Sequence, residues 1–421
     1  VKDFRVYKIG TNIPKGMELP PNAVTYYWTF KIDGQNKVIE TKDPSFPKIA
    51  GEYVSLTSKT EMPPIHDFYI QDKDRTTDYL ERLFIEELNS EGEIIISGNS
   101  FFRDEILYTL DPEAYKDVFE IWKTERKQRN LNEANRILDI TSDNRNRFFR
   151  LKELFKEKKI IPFVGAGMSI STGLPSWSEF LRSVQKETRT DRFYFEELLS
   201  QGKFEEAAQY LDDCSPSHLQ EQLDNIFGRK YLFNEINGVV CLLPKIFNNT
   251  PIITTNYDNI LSTVYQQCDY PFSDELNGLY LEDLYNRLLD KQNFLLKIHG
   301  TFDKPQNRIL TKNDYDKYYN DKTSKFKNCV ESLFSSSLLF IGCSLTIDRL
   351  INVLAEVVQE KGSENLPRHY AFLFSDPEKD DVNRIKRKEE LAKSNIFPIW
   401  YNGDHNESIE ALLELLNDGE S

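Results

Sequence analysis

One segment constrains the fold of this chain more than any other, because an apolar run at residues 160–164 passes directly into Gly165-Ala166-Gly167-Met168-Ser169. A short apolar run that ends in a turn signal is typical of a buried strand. Such a glycine turn lets backbone N–H groups approach an anion closely, and a following helix start offers its positive dipole end to that anion. The segment predicts the beginning of a nucleotide pocket, although two glycines alone occur in many tight turns.

Three later apolar runs also end in unusual polar motifs. These motifs are Thr255-Asn256-Tyr257-Asp258, His299-Gly300 and Gly342-Cys343-Ser344. Near-continuous apolar strands joined by helices predict a parallel sheet that is covered on both faces. Because ligands of such sheets bind outside the carboxyl ends of the strands, the motifs predict one nucleotide pocket that holds an imidazole, a carboxamide and a carboxylate.

The polar residues of these motifs have simpler interpretations beside the functional one. His299 alone could cap a strand, but beside Asn256 and Asp258 we expect it to act as a general base or to orient substrate. Asn256 could instead satisfy a turn, and Asp258 could cap the helix that follows it. Ser344 could likewise be a helix cap, and the stretch around Tyr315 could be no more than a surface turn.

The remaining pattern predicts two domains. Residues 1–145 combine strand and helix signals, and we expect a smaller α+β domain for interaction or oligomerisation. Residues 146–421 alternate strands with helices. The almost wholly helical stretch at about 177–247, which begins at the capping-box pair Ser176 and Glu179, predicts a helical subdomain inserted after the first strand. The expected class is α/β, a Rossmann-like parallel sheet with helices on both faces and this insertion, preceded by the α+β domain.

Several local signals predict further elements. Asp33-Gly34 predicts a β-hairpin. Residues 93–100 are expected to form a strand, a turn and a helix start. Residues 369–374 and 396–401 predict two more strands, the second at an edge or an irregular position of the sheet because it contains Pro398.

Composition narrows the class of protein further. A formal net charge of −15 argues against direct nucleic-acid binding, and the basic stretch at 145–159 has apolar residues at helical spacing, which favours a solvated helix face. The five cysteines contain no C-x-x-C pair and predict neither a disulfide framework nor a zinc site. No run approaches the ~20 apolar residues that cross a bilayer, and no signal-peptide core is present, so the expected location is the cytoplasm, without membrane association.

Together, the motifs resemble the sirtuin-like NAD-binding domain over about residues 150–416. The resemblance rests on five ordered motifs: Gly165-Ala166-Gly167-Met168-Ser169, Gly173-Leu174-Pro175, Thr255-Asn256-Tyr257-Asp258, Ile298-His299-Gly300 and Gly342-Cys343-Ser344. It implies that NAD+ is the substrate and that the glycine motif holds its pyrophosphate. It also implies that Asn256 and Asp258 address the nicotinamide ribose and carboxamide, and that His299 is the catalytic base.

The site residues implied by the resemblance fall into two groups. The catalytic group is Asn256, His299 and Asp258. The nucleotide-binding group, with Ser344 near the adenosine half, is Gly165, Ala166, Gly167, Ser169, Thr255, Gly300, Gly342 and Ser344.

Two departures from deacylating sirtuins change the expected reaction. Their four-cysteine zinc module follows the His-Gly strand, whereas residues 301–328 here contain no cysteine. The Phe-Arg pair usual after their Gly-Ile-Pro is also missing, since this chain reads Pro175-Ser176-Trp177-Ser178. Protein deacylation is therefore disfavoured. The shared first step, cleavage of the bond between nicotinamide and ribose, remains, and no metal is expected.

This combination resembles the zinc-free sirtuin-like NAD hydrolases of bacterial anti-phage defence. The domain order is most similar to that of the sirtuin-like partner of HerA-type hexameric ATPases. The resemblance implies an NAD+ glycohydrolase that produces ADP-ribose and nicotinamide as the toxic effector of abortive infection, and that is gated by homo-oligomerisation or by such an ATPase. An NAD-dependent protein deacylase and a non-catalytic scaffold that binds NAD or ADP-ribose remain as alternatives.

Overall fold

The computed structural model describes most of the chain after residue 77 and shorter segments before it. The described residues are 26–32, 35–41, 55–56, 78–96, 99–110, 112–281, 283–290, 292–320, 325–345, 349–375 and 377–419. The chain divides into two compact units, Val1–Gln128 and Arg129–Ser421.

The first unit contains a five-stranded antiparallel sheet. Its strands are β1 (Tyr26–Ile32), β2 (Gln35–Thr41), β3 (Ser55–Leu56), β4 (Ile94–Ile96) and β5 (Asn99–Phe101). They lie in the order β3-β1-β2-β4-β5. β1 and β2 pair with Ile32 opposite Gln35, which is the pairing predicted for a hairpin at Asp33-Gly34, although these two residues lie outside the described part of the chain.

The prediction for residues 93–100 is wrong in its second half. The strand is present as β4, but β5 pairs back on it with Ile94 opposite Phe101, and the next helix begins only at Arg103. This pairing gives the backbone groups at the edge of β4 hydrogen-bond partners, which a helix start at Ser100 would not provide.

Three helices complete the described part of the first unit, and the last of them continues into the second. They are α1 (Tyr79–Asn89), α2 (Arg103–Leu110) and α3 (Pro112–Leu138). The Asp78 carboxylate caps α1 by accepting the N–H of Leu80 at 2.8 Å. Phe84 of α1 packs against the rings of Tyr115 and Trp122 of α3, with centroids 5.4 and 5.7 Å apart. These rings belong to the core of the described part of this unit.

The second unit is built on a seven-stranded parallel sheet. Its strands are β6 (Ile160–Val164), β7 (Ile252–Thr254), β8 (Asp274–Asn277), β9 (Phe294–Lys297), β10 (Ser337–Ile341), β11 (His369–Phe374) and β12 (Ile396–Tyr401). Their order is β12-β11-β10-β6-β7-β9-β8. The edge position of β12 confirms the prediction from Pro398. Every residue of β6 and β10 is buried, and because successive side chains point to opposite faces, both faces of the sheet are covered.

Helices surround this sheet and form the predicted insertion. They are α4 (Asn144–Lys156), α5 (Trp177–Lys186), α6 (Arg192–Ser200), α7 (Phe204–Cys214), α8 (Pro216–Phe227), α9 (Leu243–Ile246), α10 (Ile260–Gln267), α11 (Leu284–Leu289), α12 (Lys312–Tyr319), α13 (Lys325–Leu333), α14 (Arg349–Lys361), α15 (Pro377–Ala392) and α16 (His405–Asn417). Helices α5 to α9 lie between β6 and β7. The fold is thus the expected Rossmann-like α/β sheet with a helical insertion. No helix in the described residues is long and apolar enough to cross a membrane.

Asn144 ties the start of α4 to the sheet. Its side chain is fully buried, and its Nδ2 donates to the backbone oxygens of Ile137 and Trp400, both at 2.8 Å. The N–H of Trp400 donates back to Asn144 Oδ1 at 3.0 Å. Asn144, next to the domain boundary predicted between residues 145 and 146, is therefore anchored on β12, and the compact units divide earlier, between Gln128 and Arg129.

Candidate functional site

The four strands that carry the polar motifs are adjacent in the sheet, in the order β10-β6-β7-β9. They also end at one level, because Val164 pairs with Ile341 on one side and with Thr254 on the other, and Thr254 pairs with Lys297. The strand order runs outward in both directions from β6, which makes this edge the topological switch point of the sheet. Ligands of open parallel sheets bind at such a point.

The glycine turn after β6 packs directly against the turn after β10. The N–H of Gly165 donates to the Ile341 oxygen at 2.8 Å, and the N–H of Gly167 donates to the Gly342 oxygen at 2.9 Å. A Cβ on Gly165 would lie 2.5 Å from the Gly342 oxygen and 2.6 Å from Cys343 Sγ. The close approach that requires glycine here is thus an approach of two protein loops, and these two N–H groups are occupied within the protein.

Part of the glycine turn is exposed to solvent. The N–H groups of Met168 and Ser169 donate to the oxygens of Gly165 and Ala166, at 3.1 and 2.9 Å. Ala166 is exposed and Gly167 half-buried, whereas the residues on either side of them are buried. The accessible surface of the motif is therefore centred on Ala166.

Ser169, Asn256 and Asp258 form one buried hydrogen-bonded cluster. Ser169 Oγ donates to Asp258 Oδ2 at 3.0 Å and accepts from Asn256 Nδ2 at 3.3 Å. Asp258 Oδ1 accepts the N–H of Ile260, the first residue of α10, at 3.0 Å. The carboxylate therefore caps the helix and also belongs to the polar cluster. Its burial raises the pKa of Asp258, while the Ile260 N–H and the positive charge of Lys297 oppose that rise.

Lys297 fastens the loop that carries this cluster. Its Nζ is buried at the end of β9 and donates to the backbone oxygens of Asp258 and Tyr257, at 2.7 and 3.2 Å, and to Asn259 Oδ1 at 2.9 Å. Burial lowers the pKa of Lys297, and the nearby Asp258 opposes that shift. Thr254 fastens the other end of the loop, because its Oγ1 accepts the N–H of Asn256 at 3.0 Å and donates to the Val164 oxygen at 2.7 Å.

His299 lies at the same edge of the sheet but faces a different set of side chains. Its Nε2 is 2.8 Å from the Tyr319 hydroxyl, and its Nδ1 is 3.5 Å from the Tyr315 hydroxyl. Burial lowers the pKa of His299 to about 4, so the imidazole is neutral near pH 7. No hydrogen bond among the described residues joins His299 to Asn256 or Asp258. The motif strands converge, but the imidazole and the carboxylate cluster remain separate groups.

The remaining expected residues lie around this edge. Gly300 has φ +81°, and a Cβ there would lie 1.8 Å from the Asn307 oxygen, so the turn after His299 requires glycine. Thr255 is half-buried beside the cluster, and Ser344 is exposed with its backbone oxygen accepting from the Arg387 guanidinium. The alternative that Ser344 caps a helix depends on residues 346–348, which lie outside the described residues.

Sequence reasoning missed three kinds of residue at the site. Thr254 and Lys297 organise the loop after β7, and the available signal was a lysine inside an apolar strand two residues before His299. His405 at the start of α16 was also missed. It belongs to the site because its Nε2 lies 3.1 Å from the position that a Cβ of Gly167 would occupy. Tyr315 belongs to a capped helix rather than to a surface turn. Among the described residues, no cluster of three or more His, Cys, Asp or Glu side chains is arranged to hold a metal ion.

Comparison with known proteins supports the resemblance. Residues 250–399 match a family model described as a SIR2-like domain, a stretch that contains the motifs after β7, β9 and β10. The glycine turn after β6 precedes the matched stretch.

Curated relatives of this chain include NAD+ hydrolases. The chain is 25% identical to the NAD(+) hydrolase ThsA of Bacillus cereus (strain MSX-D12), over 63% of this chain and 55% of that protein. It is 24% identical to the NAD(+) hydrolase ThsA of Enterococcus faecium, over 59% of this chain and 53% of that protein. It is 27% identical to Defense-associated sirtuin 2 of Bacillus subtilis, over 54% of this chain and 22% of that protein. The chain thus spans about half the length of the ThsA proteins that it matches.

Proposed function

We propose that this chain hydrolyses NAD+ at the bond between nicotinamide and ribose, in the reaction NAD+ + H2O → ADP-ribose + nicotinamide + H+. The observation that carries the proposal is the buried Ser169–Asn256–Asp258 cluster, with His299 at the aligned carboxyl ends of adjacent strands. The similarity to proteins named NAD(+) hydrolase supports the substrate. The accessible surface around Ala166 is where we expect the pyrophosphate to bind.

For this reaction the protein has mainly to position the reactants and to stabilise charge. The nicotinamide ring carries a positive charge and leaves as a neutral molecule, so the transition state resembles an oxocarbenium ion at the ribose. The Asp258 carboxyl group accepts from Ser169 Oγ and the Ile260 N–H, and with its remaining acceptor capacity it would hold the nicotinamide carboxamide. Preorganised charge in a buried site stabilises such a transition state without reorganisation.

Asn256 and His299 would act on the water. The Asn256 side chain has one N–H and its oxygen left after donating to Ser169, which suits it to position water or a ribose hydroxyl. The neutral imidazole of His299 would accept the proton that water loses as its oxygen bonds to the ribose carbon. General-base catalysis of this kind contributes about 10²–10⁴-fold.

Nicotinamide release from NAD+ by the purified chain tests the proposal. We expect Asn256→Ala and His299→Ala to reduce release by about 10²-fold or more. His218→Ala is the matched histidine control, because its imidazole faces Glu187 at 3.7 Å and takes part in none of the contacts above. Full turnover in either site variant would contradict the roles. Release only with an acyl-lysine peptide would identify a deacylase, and binding of NAD+ without turnover would identify a scaffold.

We further propose that the reaction is the toxic step of an anti-phage defence, in the cytoplasm, and that assembly gates it. A free NAD+ hydrolase would kill its host, so activity should depend on homo-oligomerisation or on a HerA-type ATPase. The order of the two domains, with the α+β domain before the sirtuin-like one, supports this partner by resemblance. Comparing nicotinamide release by the chain alone, across a concentration series, and by the chain mixed with a HerA-type ATPase tests it. Equal rates per chain in all samples would overturn the gating.

A further inference from the structure

Two tyrosines of α12 bracket the imidazole of His299. Tyr319 places its hydroxyl 2.8 Å from Nε2, and Tyr315 places its hydroxyl 3.5 Å from Nδ1. The two rings are stacked, with centroids 5.6 Å apart, and each meets the imidazole edge-on. Each ring nitrogen of the histidine thus faces a tyrosine hydroxyl. The distance from Nε2 is that of a hydrogen bond, and the distance from Nδ1 is longer.

The two sides of the imidazole differ in access. Tyr319 is only 6% exposed and belongs to the hydrophobic core, where its ring packs against Phe326 of α13. Tyr315 is half-buried. The Nε2 contact is therefore enclosed by the core, whereas the Nδ1 contact is the longer and the less buried of the two.

α12 is held firmly enough to fix these hydroxyls. A capping box between Thr311 and Asp314 begins the helix. Arg349 of α14 then joins it to the helical insertion, with ion pairs of 2.6 Å to Asp316 and 2.5 Å to Glu205 of α7. The same guanidinium lies over the Tyr315 ring, 5.4 Å from its centroid. Arg349 thus ties both α14 and α7 to the helix that carries the tyrosines.

A neutral imidazole carries one proton, and the atom that carries it decides which nitrogen can act as a base. If the Tyr319 hydroxyl donated to Nε2, the proton would sit on Nδ1, and that nitrogen would have no lone pair for the water proton. If Nε2–H donates to the Tyr319 oxygen, Nδ1 keeps its lone pair, with only the longer contact to the Tyr315 hydroxyl on that side.

We infer that Tyr319 is a positioning residue that accepts the Nε2–H of His299 and thereby leaves Nδ1 as the nitrogen that takes the proton from water. This inference rests on the proposed hydrolysis for its direction, and it adds a residue that the motifs do not contain. When Nδ1 gains the proton, the Nε2–H···O bond to Tyr319 remains and stabilises the imidazolium. The Tyr315 hydroxyl faces the reacting nitrogen at 3.5 Å.

The test combines a spectroscopic and a kinetic measurement on the full chain. Two-bond proton–nitrogen correlation spectra of protein labelled with nitrogen-15 histidine report which ring nitrogen is protonated, with His299→Gln to assign the signal. We expect the Nε2–H form in the parent protein and a mixture of both forms in Tyr319→Phe, which keeps the ring and removes only the hydroxyl. We expect kcat/KM for NAD+ to fall about 2- to 10-fold, the worth of one neutral hydrogen bond.

Tyr318→Phe is the matched control. It is the same substitution on the same helix, but the Tyr318 hydroxyl lies near Lys317, at 3.5 Å, rather than near the imidazole. It should change neither the spectrum of His299 nor the rate. An Nδ1–H form in the parent protein, or an unchanged spectrum in Tyr319→Phe, would overturn the inference. If the parent protein releases no nicotinamide but the spectra change as expected, the proposed hydrolysis fails while the contact of Tyr319 with His299 stands.

Discussion

Replacing Lys297 by methionine should loosen the loop after β7 without touching the residues proposed to react. The lysine is 3% exposed, and its Nζ supplies the hydrogen bonds to the oxygens of Tyr257, Asp258 and Asn259 at 3.2, 2.7 and 2.9 Å. Methionine has a similar length and volume, so the change removes the donor and leaves little cavity. Three acceptors then remain without this donor.

The size of the effect follows from two opposing terms. One unsatisfied buried acceptor costs about 1–3 kcal/mol, so the buried oxygens of Tyr257 and Asp258 together cost about 2–6 kcal/mol, and the half-buried Asn259 adds less. Burial of the ammonium group is itself unfavourable, as the lowered pKa of Lys297 indicates, and the variant recovers several kcal/mol of that desolvation cost. We expect the free energy of unfolding to fall by about 2–4 kcal/mol as the difference between these terms.

Urea unfolding followed by tryptophan fluorescence measures this loss, and nicotinamide release measured where the variant is still folded gives the effect on the site. Because the loop also carries Asn256, we expect kcat/KM to fall by about 10-fold or more. Lys304→Met removes an exposed lysine and should change neither quantity. Parent-like stability together with parent-like activity in Lys297→Met would refute the view that this lysine holds the site.

Three further predictions concern other parts of the second unit. Gly165→Ala should destabilise the fold by about 1–3 kcal/mol and raise KM for NAD+, because the new Cβ would lie 2.5 Å from the Gly342 oxygen. Urea unfolding measures the stability and nicotinamide release measures KM. Parent-like values of both would contradict the packing of the two turns. Burial lowers the pKa of His299 to about 4 in the folded protein, against about 6.5 in the unfolded chain. As the pH falls, His299 is therefore protonated in the unfolded chain before it is protonated in the folded protein. The neutral histidine thus contributes about 3 kcal/mol to the free energy of unfolding above pH 6.5, and this contribution is lost as the pH falls to 4. His299→Gln should therefore flatten the dependence of the free energy of unfolding, measured with urea, on pH in this range. Asn144→Ala should lower the free energy of unfolding by about 2–4 kcal/mol, since the backbone of Trp400 loses both its donor and its acceptor, and an unchanged urea midpoint would contradict this anchoring role.

The parallel sheet could be predicted from the sequence because its central strands are continuous apolar runs. β6 and β10 are buried on both faces, which is the condition that produces such runs. The strand β8 was missed because its sequence, Asp274-Glu275-Leu276-Asn277, is mostly polar, and its residues are exposed or half-buried at the edge of the sheet. An edge strand is specified by its hydrogen bonds to a neighbour rather than by its own apolar pattern.

The sequence could predict only those contacts of the site that are made by residues directly following the strands. Ser169, Asn256 and Asp258 follow strands that are adjacent in the sheet, so their meeting is a consequence of topology. The contact of His299 with Tyr319 depends on how α12 packs after a turn that contains Gly300. Since α12 reads as a short polar helix, no local pattern indicates that two of its side chains face the histidine.

The glycine turn shows how a correct motif can have a second physical cause. Gly165 and Gly167 were expected because an anion needs close backbone N–H groups, yet both N–H groups donate to the turn after β10, and a side chain at either position would collide with that turn. The two turns are therefore one structural unit, and a substitution in either should move both. An anion bound at Ala166 would be held by a surface that the Gly342 loop supports from behind. The affinity for the nucleotide should then depend on the packing between the two turns, which the Gly165→Ala measurement of KM would reveal.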